Sequence, residues 1–113
     1  MDYQRSDRVG DLLLEVIADL LRREIRDPRL QWVNLTGVRV SKDLRHAQVF
    51  FNLVGVAEDK EAAVAGLKSA RGFIRSKAGK KLNLRFVPTI EFTYDESEED
   101  ARHIDSLLNK VKP

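Results

Sequence analysis

A chain of 113 residues, 42% apolar and 34% charged, is long enough for one domain with its own core and too apolar for wholesale disorder. The absence of cysteine excludes a disulfide scaffold, a thiol nucleophile and a Cys-based zinc site. A formal net charge of +2 and a pI near 9.0 point in different directions about nucleic acid, so the positions of the charges must decide.

The first element reads as a helix. Val9, Leu13, Val16, Ile17, Leu20, Leu21 and Ile25 recur at three- and four-residue spacing and make one apolar stripe. Ser6 is the candidate N-cap, and Asp27-Pro28 the expected stop, because the residue before proline avoids the α region. Two strands follow. Val38 and Val40 alternate with Arg39 and Ser41, and Ala47, Val49, Phe51 and Leu53 alternate with His46, Gln48, Phe50 and Asn52, while Ser41-Lys42-Asp43 between them has turn composition. An antiparallel hairpin is predicted, with Phe50 on its wetter face.

Asp59 is a candidate cap for a second helical stretch. Ala63, Val64, Leu67 and Ala70 form one stripe, Ile74, Ala78 and Leu82 another, and Asn83 suits the end. Gly72 lies between the stripes. It is either a tolerated flaw in a continuous helix or the site of a break. Gly66 and Gly79 read as packing or fraying positions. After Pro88, the alternation of Ile90, Phe92 and Tyr94 predicts a third strand. A last helix is expected over about 97–112, with Ile104, Leu107, Leu108 and Val111 on one side and Glu98, Glu99 and Asp100 in its first turn. This order describes a single α+β domain over 1–113, a three-stranded sheet covered by helices.

The net charge hides a separation. From Ala62 to Ile90 there is no acid, while Lys68, Arg71, Arg75, Lys77, Lys80, Lys81 and Arg85 fall in that stretch. Glu91 to Asp100 has acids and no base. Like charges at four-residue spacing cost a few tenths of a kcal/mol each, and a helix that keeps them without acids suits a polyanion. The alternative is a solvated face.

Other chemistry has little support. His46 and His103 are the only histidines, and neither has a partner at metal-ligand spacing. No phosphate-binding glycine pattern precedes a helix. Trp32 suits a core or lid position better than a base-stacking one. Charges precede the first apolar cluster, and the longest uncharged stretch, Ala47 to Ala57, is far short of the ~20 residues a membrane helix needs. A cytoplasmic protein without cofactor, metal or membrane partner is expected.

Four segments carry a resemblance. They are Glu24-Ile25-Arg26-Asp27-Pro28-Arg29-Leu30, Ser41-Lys42-Asp43-Leu44 with Ala47, Val49 and Phe51, Ala70-Arg71-Gly72-Phe73-Ile74-Arg75-Ser76, and Leu84-Arg85-Phe86-Val87-Pro88 with Ile90, Phe92 and Tyr94-Asp95. In this order they resemble the bacterial ribosome-binding factor A family over nearly the whole chain. The resemblance implies a type II KH-like fold in which an Ala-x-Gly kink, here Ala70, Arg71 and Gly72, replaces the usual GxxG loop.

It also implies a function: a non-catalytic factor that binds the small (30S) ribosomal subunit and its rRNA in late maturation and rRNA processing. A link to growth in the cold and to an assembly GTPase comes with it, and a monomer is expected. The RNA surface then falls on Lys68, Arg71, Arg75, Lys77, Lys80, Lys81 and Arg85. Arg39, Lys42 and Arg45 near the hairpin, and Arg22, Arg26 and Arg29 at the first-helix exit, are secondary candidates. The acidic run from Glu96 to Asp100 and His103 depart from the family pattern. A general RNA-binding module and a protein-binding adaptor using the acidic end remain as alternative readings.

Overall fold

The computed structural model describes residues 3–54 and 59–96. The helix expected over about 97–112, with His103, lies outside them.

Helix α1 spans Arg5–Arg23. Its cap is Gln4, not Ser6: the Asp7 carboxylate accepts the Gln4 backbone N–H at 2.9 Å, and Ser6 is already inside the helix and buried. A carboxylate in the first turn also suits the helix dipole. Leu13, Ile17 and Leu20 are fully buried at the spacing that defines one face. The helix ends before the expected Asp27-Pro28 stop, because the N–H groups of Glu24 and Ile25 both close on the Leu20 carbonyl. Pro28 instead opens a 3-10 turn, Pro28–Leu30, whose cap Asp27 accepts the Arg29 N–H at 2.9 Å.

Strands β1 (Val33–Val40) and β2 (His46–Leu53) form the expected antiparallel hairpin. β1 begins earlier than its alternation suggests. Leu35 pairs with Phe51 and Gly37 with Phe50, so Thr36 is an extra residue in a bulge. The bulge lets Val33 and Leu35 share the core face with Val38 and Val40, although the two pairs are out of phase in sequence. The Thr36 hydroxyl then donates to Asp95 at 2.7 Å and ties the bulge to the chain leaving the sheet.

Helix α2 runs from Lys60 to Lys81, with the Asp59 carboxylate accepting the Ala62 N–H at 3.0 Å. Its end is set by Asn83, which takes φ 52. Leu84 N–H then returns to the Gly79 carbonyl and Asn83 N–H to the Lys80 carbonyl, the left-handed closure that glycine or asparagine favours. The break expected at Gly72 is absent. Gly72 has no left-handed φ, faces open space, and sits in one continuous helix. Replacing it with alanine is therefore expected to stabilise the protein by about 0.5–1 kcal/mol in urea unfolding, whereas a bend that alanine fits badly would give a loss.

The buried positions Ala63, Leu67, Ile74 and Ala78 follow the expected stripes, but Val64 is exposed. Gly66 and Gly79 are close-approach positions rather than fraying ones. A Cβ on Gly66 would lie 2.9 Å from Leu30 Cδ2, and one on Gly79 2.4 Å from Val87 Cγ2.

The long crossover through α2 allows β3 (Thr89–Tyr94) to pair parallel to β2, giving a mixed sheet of order β1-β2-β3. Central β2 buries Ala47, Val49 and Phe51 between the sheet and both helices. Both helices therefore cover one face of an α+β sheet, and no other described helix covers the second face. Among the described residues no helix is long and apolar enough to cross a membrane.

Candidate nucleic-acid interface

α2 carries most of the predicted cations. At about 100° per residue they fall into two groups rather than one arc. Lys68, Arg71 and Arg75 share one flank, within roughly 60° of each other. Lys77, Lys80 and Lys81 lie on roughly the opposite flank with Phe73. Between them runs an exposed ridge of small residues, Ala65, Ser69, Gly72 and Ser76. The side chains that could hold an anion rise on either side of a ridge that a backbone can approach closely.

Among the described residues, ion pairs join Arg22 and Arg23 to Asp19 and Arg29 to Asp27, and none involves α2. Lys77 Nζ lies 5.7 Å from the Phe73 ring centroid, a loose cation–π contact. Lys80 and Lys81 sit in the last turn, where the helix dipole alone favours a cation. That explanation does not reach Lys68 and Arg71 at mid-helix, which have no ion-pair partner among the described residues.

Arg75 is committed elsewhere. Its Nε donates to the Pro88 carbonyl at 3.1 Å and its Nη2 to the Val87 carbonyl at 2.8 Å. Two carbonyls on the approach to β3 are thereby satisfied, and the α2–β3 connection is clamped to the helix. Arg75 keeps other donors facing solvent, but its first task is structural.

The secondary candidates separate into three places. Arg29 grips Asp27 with Nε at 3.1 Å and Nη2 at 2.7 Å, and that side-chain bonding holds the Asp27 carboxyl below its usual range. Arg22, Arg26 and Asp27 line a groove of about 1050 Å³ beside α1, together with Asp11 and Glu15, so its charge is mixed. Arg39 pairs in register with Gln48, on the sheet face away from the helices. Lys42 and Arg45 belong to the hairpin turn, where Asp43 accepts the Ser41 hydroxyl at 2.6 Å and the Arg45 N–H at 3.1 Å. Those bonds, the hydroxyl first, lower the Asp43 pKa.

The structure brings Arg45, Arg75 and Arg85 to one cleft and adds Arg5, which the sequence reading did not single out. No sequence signal could have found Arg5, since it lies at the far end of the chain from Arg85. His46 Nδ1 is 2.8 Å from Thr89 Oγ1 beside that cleft. Among the described residues no three His, Asp or Glu side chains converge as metal ligands would.

Comparisons with known proteins identify the family. The profile of the family described as Ribosome-binding factor A matches residues 5–108. Ribosome-binding factor A of Syntrophobacter fumaroxidans is 46% identical over 113 residues, covering 98% of this chain and 97% of that one. The crystal structure of ribosome-binding factor A from Thermus thermophilus superposes with a TM-score of 0.73 at 22% identity, over 81% of this chain and 97% of that one. Thermus thermophilus ribosome-binding factor A as fitted into a cryo-electron-microscopy map of its 30S complex superposes with a TM-score of 0.64 at 23% identity, over 77% and 91%. The profile match and the near-full-length identity agree with the order of elements built above: the chain belongs to the ribosome-binding factor A family.

Proposed function

We propose that the chain is a non-catalytic assembly factor that binds the 30S ribosomal subunit and its rRNA late in maturation, when the rRNA ends are processed. The carrying observation is the acid-free span from Ala62 to Ile90, whose α2 cations form no ion pair among the described residues and flank a low ridge. A relative fitted into a 30S complex supports the choice of partner. The order helix, two strands, helix, strand supports a type II KH-like fold with an unbroken second helix. A monomer acting in the cytoplasm, useful in the cold and coupled to an assembly GTPase, completes the reading.

The mechanism is recognition. Lys68, Arg71, Lys77, Lys80 and Lys81 neutralise phosphates and release counterions. The small ridge lets the RNA backbone lie close to the helix between the two flanks. Tighter binding to one rRNA conformer shifts the population toward it, which is what an assembly factor needs.

Salt dependence tests this. If about four of these cations meet phosphate, log affinity for purified small subunits falls against log salt with a slope of about −3 to −4. A slope near zero contradicts the electrostatic interface.

A further inference from the structure

The cleft that gathers Arg5, Arg45, Arg75 and Arg85 has a second feature. Phe86 lines it and is 79% exposed, more than any other large apolar side chain described. A phenylalanine that open, beside four arginines, contributes little to the core.

The cleft has a volume of about 680 Å³, well within the range of small-ligand sites. Its walls are the start of α1, the hairpin turn and the approach to β3. Its one carboxylate among the described residues, Asp43, is turned into the hairpin by the Ser41 hydroxyl and the Arg45 N–H. The cleft thus offers cations with little local neutralisation; Arg5, Arg45 and Arg85 form no ion pair among the described residues. Arg75 fixes one wall through Val87 and Pro88, next to Phe86. Leu44, at φ 63, holds the opposite wall in a left-handed turn.

We propose that this cleft holds one unstacked nucleotide of single-stranded RNA, with the base on the Phe86 ring and the phosphate on Arg5, Arg45 and Arg85. An aromatic face beside planar guanidinium groups is what a splayed-out base requires, and a buried duplex base cannot reach it. An acidic peptide would use the arginines and leave Phe86 unexplained. The inference rests on the RNA-binding reading above and adds a site that adjoins the α2 flank at Arg75.

The test uses the full chain and a fluorescent single-stranded pentaribonucleotide, followed by anisotropy. The parent chain binds it in preference to a short RNA duplex. Phe86→Ala and Phe86→Leu each weaken binding roughly ten-fold, and Phe86→Trp keeps it. The position is exposed, so unfolding midpoints stay unchanged. The cleft assignment is overturned if the parent chain shows no binding, if Phe86→Leu binds like the parent, or if AMP or polyglutamate displaces the oligomer as readily as unlabelled RNA does. Retention of the parent on small subunits is measured alongside. If that retention holds while the Phe86 variants bind the oligomer unchanged, the cleft fails alone; if the parent is not retained, the wider function fails.

Discussion

Replacing Lys77, Lys80 and Lys81 with glutamate is expected to abolish retention on small subunits, with an affinity loss of about 100-fold or more at moderate salt. The three lysines lie on one flank of α2, none is in an ion pair among the described residues, and none belongs to the buried core. Arg75 is left out because its bonds to Val87 and Pro88 would make any loss ambiguous. Two of the new carboxylates would sit at the helix C-terminus, at a cost of about 0.3–1 kcal/mol each, so an unfolding midpoint must accompany the binding measurement. The same three positions changed to glutamine should lose less, since neutralisation removes attraction without adding repulsion. If the folded glutamate variant is retained like the parent, another surface carries the binding.

Phe51→Ala should be the most damaging of the simple truncations, at about 3–5 kcal/mol. Phe51 is fully buried on central β2 and its ring meets Tyr94 edge-on at 5.5 Å. It also joins Leu30, Ala63 and Leu67 in the smaller of the two core clusters. With a total stability of order 5–15 kcal/mol, a domain of this size would be left marginal. Phe50→Ala, one residue earlier on the open face, should cost much less. Urea unfolding of the pair reads the register directly, because a slip by one residue would reverse the order of the two losses.

The order of elements was legible because it depends on local signals. The Leu13, Ile17 and Leu20 stripe, the Asp59 cap and the alternation through Ile90 each act within a few residues. What escaped was set by contacts distant in sequence. The bulge at Thr36 hides the first half of β1, since Val33 and Leu35 look out of phase until Phe51 and Phe50 fix the pairing. Gly66 and Gly79 differ little from Gly72 by sequence, yet Leu30 and Val87 press against the first two and nothing meets the third. The same contrast bears on Gly72: a glycine permits a break, and this helix runs through it with no cap or proline there to make one.

The site divides in the same way. The acid-free run was visible as a count, and α2 presents it as two flanks. A basic residue in that run could not be told from a structural one until Arg75 was seen donating to two carbonyls. Arg29 likewise belongs to Asp27 before it belongs to any ligand.

This surface is proposed to select the small subunit. Co-sedimentation of the full chain with small subunits, large subunits and whole ribosomes, at low and moderate salt, tests it most directly. The account predicts retention on free small subunits that weakens with salt, and little on the other two. Equal retention on every particle, or none on small subunits, would contradict it.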